Sequence, residues 1–246
     1  MTVRALATIG CLLAMACAAL AAPDDPPQHG AMTVLYKVPV QSKAIALTFD
    51  LGCSARRDAV EKMLLSLDKR QVHCTWFVTG WFARQMPDLL GRIAERGDDL
   101  GNHTDTHPHC RSVSQARMSR ELQAVEALLA PLGLAMTEPN YFRPPFGEYN
   151  AAVTDVAGDL GYRTVMWSAT TTDYDRRTDP ARATRSILRR ASPGGIILMH
   201  ATDVSRHMLP EVLDGLAGEG YQVMPLRELM HVAHAEMTQA QTGGEQ

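Results

Sequence analysis

Short apolar runs alternate with longer, helix-patterned stretches seven times along this chain, and no other feature limits its fold as tightly. Residues 44–49, 74–78, a run ending near 102, 141–143, 163–167, 196–200 and 221–224 read as strands. Helical stretches are expected over about 54–70, 87–96, 114–130, 150–160, from 179 onward, over 209–217, and after the last strand. Ser54 and Ser114 are placed to cap two of them, Gly97 closes another, and Asp179-Pro180 supplies an N-cap followed by a proline at the first helical position. Strand–helix units in series indicate a parallel sheet, open or closed. Periodicity does not choose between those two. The polar residues help: Asp50, His103, Arg143, Asp173 and His200 all fall at or just beyond the C-terminal ends of expected strands, where parallel α/β folds assemble their sites.

The chain has 246 residues, enough for one sizeable core in a single domain. Its 24 Lys and Arg against 27 Asp and Glu give a formal net charge of -3, which leaves no electrostatic footprint for nucleic acid and suits a neutral glycan or small polar substrate better. The first residues form a unit of their own. A short positive start at Met1–Arg4, an apolar run over 5–20 and the small-residue pattern Ala19-Leu20-Ala21 read as a signal peptide over 1–22, with an uncleaved anchor as the alternative. The expected organisation is then a Pro-rich arm over 23–42, the folded domain over 43–236 and a flexible tail over 237–246. The protein is expected to be exported, to the periplasm or beyond, with no membrane contact apart from the signal segment. Cys11 and Cys17 leave with that segment, so Cys53, Cys74 and Cys110 remain and allow at most one internal bridge.

His103-Thr104-Asp105-Thr106-His107 holds two imidazoles four apart, which can share one metal if the segment turns helically. That spacing is weak evidence alone, and His231 and His234 near the C-terminus read as a solvated face. Other motifs add weight: Thr48-Phe49-Asp50-Leu51-Gly52, Arg143-Pro144-Pro145-Phe146-Gly147, Trp167 followed by Asp173-Tyr174, and Leu198-Met199-His200. Taken in order from about Lys43 to the end, the chain resembles the polysaccharide deacetylase family (carbohydrate esterase family 4, the NodB homology domain). The resemblance implies a distorted, incomplete (β/α)7 TIM-like barrel and metal-dependent hydrolysis of N-acetyl groups from an amino-sugar polymer. It also implies roles: Asp50 as general base, His103 and His107 as metal ligands, and Arg143 orienting the base. Phe146 would lend a backbone N–H to the oxyanion, His200 would be the general acid, and Asp173 would tune it. Leu198 and Tyr174 would form the pocket for the acetyl methyl. Zinc is the first choice of metal, with cobalt or another divalent ion open.

The chain departs from the family pattern in places. Leu51 stands where the family carries a metal-binding aspartate, Thr170 occupies the first acidic position of the fourth motif, and Tyr174 replaces a tryptophan. Three consequences of Leu51 are open: water completes the site, Asp50 turns inward as a ligand, or the chain binds glycan without cutting it. The rival functions are therefore a non-catalytic glycan-binding module and a hydrolase of the same fold acting on a non-sugar amide or ester. Because Cys53 and Cys110 each lie three residues beyond a site residue, a bridge pinning those two loops is expected. Cys74, Trp76 and Trp81 read as packing residues, His73 as structural, and Asp105 and His109 as loop contacts.

Overall fold

The computed structural model of the protein describes residues 34–243. The expected signal segment, with Cys11, Cys17 and the first part of the Pro-rich arm, lies outside the described residues. Seven strands form one sheet: β1 (Ala44–Leu51), β2 (Thr75–Val78), β3 (Asp99–Asn102), β4 (Tyr141–Phe142), β5 (Arg163–Thr164), β6 (Ile196–His200) and β7 (Gln222–Met224). Every named pairing is parallel, in the order β5-β4-β3-β2-β1-β6. Ala46 pairs with Ile196 of β6 and Met224 of β7, so β7 occupies the edge of β1 that β2 uses further along. After β5 the chain leaves the sheet, bridges Leu35 at Val165, and returns to bridge Ile197 of β6 at Ala169. One isolated bridge thus spans the gap between the sheet's two ends. This is an incomplete (β/α)7 barrel, as the resemblance implied.

The period-two geometry of β1 decides where its chemistry points. All eight of its residues are buried, as expected for a central parallel strand covered on both faces. Ile45, Leu47, Phe49 and Leu51 belong to the core beneath the helices, whereas Ala44 and Ala46 join Phe77, Tyr141 and Ile196 in the core inside the sheet's curl. Thr48 and Asp50 continue that inner row up to the C-terminal rim. At Gly101 a Cβ would lie 2.7 Å from the Phe77 ring, so only glycine lets β3 pass the inner core there.

The helices are α1 (Arg57–Arg70), α2 (Gly80–Gln85), α3 (Pro87–Glu95), α4 (Gln115–Leu129), α5 (Ala151–Asp159), α6 (Pro180–Arg190), α7 (Asp203–Gly218) and α8 (Leu226–Gly243). Ser114, Asn150 and Asp179 each accept a backbone N–H at a helix start. Several expectations need correction. α1 begins at Arg57 with no side-chain cap, so Ser54 does not start it. The periodicity missed α2, which Thr79 caps by accepting the Phe82 N–H at 3.1 Å. α7 opens at Asp203 because Thr202 caps it, well before residue 209, and it tolerates Pro210 in its interior. α8 runs through Gly243, so residues 237–243 are helix and not a loose tail. The end of the N-terminal arm is also built in: Val38 and Val40 are buried and Lys37 bridges Gly195.

Candidate active site

A cleft of about 1190 Å³ opens at the C-terminal rim, and Asp50, His103, His107, Phe146, Tyr174, Leu198 and His200 all line it. Parallel strands carry their C-terminal residues to one rim, so residues far apart in sequence converge there. The fold brings these side chains together around one cleft.

Asp50 is the best anchored of them. Its Oδ1 accepts from Arg143 Nη1 at 2.9 Å, and its Oδ2 stands 3.5 Å from His103 Nε2. Arg143 is fully buried. It donates to Thr48 Oγ1 at 2.8 Å and to the Met166 carbonyl at 3.0 Å, and its guanidinium lies 4.0 Å from the Phe77 ring centroid. Burial alone would raise the Asp50 pKa, but His103, Arg143 and His200 together outweigh it and hold the carboxyl below its ordinary value. Asp50 is therefore an ionised carboxylate with little freedom to rotate.

The two imidazoles meet, though not through a helix. Residues 103–109 form a loop in which Thr104 and His107 adopt left-handed backbone angles, with φ of 66° and 57°. Non-glycine residues take such angles seldom, and usually where the surrounding structure demands it. Here the two turns bring the His103 and His107 rings to a centroid separation of 5.0 Å. His103 Nδ1 lies 2.7 Å from the Arg143 carbonyl, and since a carbonyl only accepts, Nδ1 carries the proton and Nε2 offers its lone pair to the cleft. Burial lowers the pKa of both rings, that of His107 to about 4 with help from His103. Both are neutral at neutral pH, the state a metal ligand needs.

Leu51 is fully buried in the core beneath the helices, on the strand face opposite Asp50, and does not line the cleft. Among the described residues no group of three or more His, Cys, Asp or Glu side chains is disposed to hold a metal. The donors the cleft offers are two imidazole nitrogens, beside one carboxylate already held by Arg143.

On the neighbouring strand β6, in register with Asp50, His200 Nδ1 donates to Asp173 Oδ1 at 3.0 Å, and the His200 backbone N–H donates to Oδ2 at 2.7 Å. Burial pulls the His200 pKa down, but the hydrogen bond and charge of Asp173, with the charge of Asp50, carry it above the ordinary value. The sequence reading missed Ser205, whose hydroxyl donates to Asp173 Oδ2 at 2.5 Å, and Thr202, whose hydroxyl donates to the Asp173 carbonyl at 2.7 Å. The available signal was the Thr202-x-x-Ser205 spacing of a helix start directly after His200.

Phe146 and Tyr174 flank the cleft as exposed rings, 57% and 60% accessible. Phe146 sits at φ 58°, stacks on His109 at 4.3 Å and meets His107 edge-on at 4.6 Å. The Tyr174 ring stands edge-on to His200 at 5.5 Å. Among the described residues no hydrogen bond uses the Phe146 N–H. The remaining side chains behave as loop and core groups: Asp105 approaches Arg84 at 2.7 Å, His109 meets Glu148 at 3.1 Å, and Trp76 donates to Asp98 at 2.9 Å.

The Cys53–Cys110 bridge is not formed, and this expectation is corrected. Cys53, Cys74 and Cys110 are all free. Cys53 is exposed at the cleft, whereas Cys110 is turned into the core, its Sγ 3.7 Å from the Pro108 carbonyl, with burial pushing its thiol pKa up to about 12. Neighbouring loops do not make a bridge when one thiol points inward.

Comparison with known proteins agrees with the geometry. Residues 37–165 match the family model described as polysaccharide deacetylase. Asp173 and His200 lie beyond that stretch. The chain is 33% identical over 185 residues to YlxY of Bacillus subtilis, covering 75% of this chain and 57% of that protein. It is 31% identical over 195 residues to the peptidoglycan-N-acetylmuramic acid deacetylase PdaA of Bacillus subtilis, covering 77% of this chain and 72% of PdaA. The solved PdaA structure superposes with a TM-score of 0.74 at 29% identity, over 80% of this chain and 85% of that one. A family 4 carbohydrate esterase pseudoenzyme from Bacillus anthracis superposes with a TM-score of 0.75 at 26% identity, over 81% of this chain and 69% of that one. A mutant of that pseudoenzyme has restored enzymatic activity.

Proposed function

The chain belongs to the polysaccharide deacetylase family, and from that we propose that it hydrolyses N-acetyl groups on the amino sugars of a glycan such as peptidoglycan. The observation that carries this reading is a pair of titratable groups, in register on the neighbouring strands β1 and β6 at one cleft, pushed in opposite directions. His103 and Arg143 hold the Asp50 carboxyl below its ordinary range, and Asp173 raises the His200 pKa above its ordinary value.

Amide hydrolysis needs an activated water, a stabilised oxyanion and a protonated leaving group. Asp50 takes a proton from the attacking water at its free oxygen while Arg143 fixes the other. The free N–H of Phe146 faces the developing oxyanion, a donor of a kind commonly worth roughly 2.7–4 kcal/mol. His200 then gives its Nε2 proton to the departing amine as the C–N bond breaks, leaving acetate and a free amino sugar. A positioned acid or base of this kind typically contributes about 10²–10⁴-fold. Leu198 and Tyr174 bound the space for the acetyl methyl. His103 and His107 would hold the metal, with zinc first and cobalt or another divalent ion as alternatives. When bound, the metal would acidify water and polarise the carbonyl. Export to the cell envelope follows from a cell-wall substrate and the signal-like start, and no described helix is long and apolar enough to cross a membrane.

The second reading is a glycan-binding module without turnover. It is favoured by Leu51, which leaves the metal two protein ligands and no third. Acetate release from acetylated chito-oligosaccharide and from peptidoglycan, with and without chelator, separates the readings. The deacetylase reading expects chelator-sensitive release that His200→Ala abolishes. Glycan binding without acetate from any substrate would establish the module instead, and turnover of a non-sugar amide alone would replace the glycan by another substrate.

A further inference from the structure

Six of the chain's 24 basic residues fall between Arg176 and Arg190, a stretch whose single acid is Asp179 and which Asp175 precedes, in a protein whose net charge is -3. Three of these six, Arg177, Arg182 and Arg190, line the cleft. Arg182, Ser186 and Arg190 line it from one face of α6. Their spacing of four residues places them in a stripe along that helix, about 12 Å from end to end at a rise of 1.5 Å per residue.

The local acids do not neutralise this stripe. Asp175 is engaged by Arg177, which donates to it at 2.9 and 3.2 Å. Asp179 caps α6 by accepting the Arg182 backbone N–H at 3.0 Å. Among the described residues neither Arg182 nor Arg190 has a carboxylate within ion-pair distance. Arg190 is oriented by donating Nη1 to the Thr170 carbonyl at 3.2 Å, which leaves its other N–H groups for a ligand. Beside it, the buried Thr171 hydroxyl, also on the cleft, has no hydrogen-bond partner. Two unpaired guanidinium forks and two hydroxyls on one wall match a carboxylate, which takes parallel N–H donors.

We infer that this wall is a subsite for a carboxylate on the glycan, so that the cleft favours an acidic N-acetylated saccharide over a neutral one. The inference rests on the glycan reading above and names the substrate class within it. Two carboxylates fit: the lactyl group of a muramic-acid-type sugar, and the stem peptide attached to it.

The test measures binding by calorimetry in a His200→Ala background, where turnover does not interfere. The ligands are neutral acetylated chito-oligosaccharide, peptide-free glycan-strand fragments bearing lactyl carboxylates, and the same fragments with stem peptides. The quantity read is the preference for carboxylated over neutral ligand. Arg182→Gln and Arg190→Gln together should cut that preference by about five-fold or more, the scale of losing charged hydrogen bonds at a partly exposed site. Arg92→Gln, on α3 away from the cleft, controls for net charge. A second measurement needs no variant: raising salt to about 1 M, where the Debye length is roughly 3 Å, should erase most of the preference in the parent protein. Preference for peptide-free fragments assigns the lactyl group, and preference only for peptide-bearing ones assigns the stem. No preference in the parent, or one that survives both the substitutions and high salt, overturns the subsite. Acetate release from wild-type protein is scored separately, so loss of the deacetylase reading and loss of the subsite give different results.

Discussion

Replacing Asp173 by Asn tests the acid–base assignment most directly, because it removes one charge while preserving shape. In the native site the carboxylate accepts from His200 Nδ1 at 3.0 Å, from the His200 backbone at 2.7 Å and from Ser205 at 2.5 Å. His200 is largely buried, which by itself favours the neutral ring, and Asp173 is the main group reversing that. A hydrogen bond to a charged group is worth about 1.5–3 kcal/mol against about 0.5–1.5 for a neutral one. The protonated ring should therefore lose about 1–2 kcal/mol, which is roughly a 5- to 30-fold smaller protonated fraction on the alkaline side. The alkaline limb of the kcat/KM profile for acetate release should move to lower pH, and an NMR titration of the His200 ring should move with it. The sign for stability follows from the same shift. A raised folded pKa contributes stability that is complete below the ordinary histidine value and is lost as pH rises through the folded value, so the variant's deficit should be largest at acidic pH. If the His200 titration and the alkaline limb both stay where they were, Asp173 does not hold the proton on His200 and the general-acid argument fails.

Ser205→Ala should act in the opposite sense on pH: Asp173 shares less of its charge, so the alkaline limb moves up, while looser positioning lowers kcat about ten-fold; an unmoved limb would make Ser205 merely structural. Arg143→Leu leaves a buried carboxylate unpaired and should cost about 3–5 kcal/mol of unfolding free energy in denaturant titration, and a loss below about 1 kcal/mol would contradict the ion pair seen here. Leu51→Asp should destabilise metal-free protein by at least about 3 kcal/mol, since it removes a fully buried leucine. Because position 51 faces away from the cleft, added divalent metal should raise the variant's melting temperature no more than the wild type's; a clearly larger shift in the variant would mean that position 51 reaches the cleft after all. Cys53 should alkylate readily in the folded protein while Cys74 and Cys110 react only after unfolding, as mass mapping will show.

The alternation of short apolar runs with amphipathic stretches was enough to derive a parallel α/β sheet, because each pattern records how its own segment is buried. It also placed Asp50, Arg143 and His200 at one rim, since parallel strands must end on one side and these residues stand at such ends. Family resemblance then supplied the roles that spacing could not. Tertiary structure decided the rest, because the pattern of a segment does not say which distant segment it will meet. The two histidines share a face through left-handed turns at Thr104 and His107, which sequence spacing suggested for a different reason. Strand alternation sends Leu51 away from Asp50 and into the helix-side core. Cys110 turned inward, so proximity of its loop to Cys53 produced no bridge. Ser205 reached Asp173 only because α7 starts on the turn that follows His200. Pairwise contacts across 32 residues or more of chain are set by how whole elements pack, and no local periodicity carries that information.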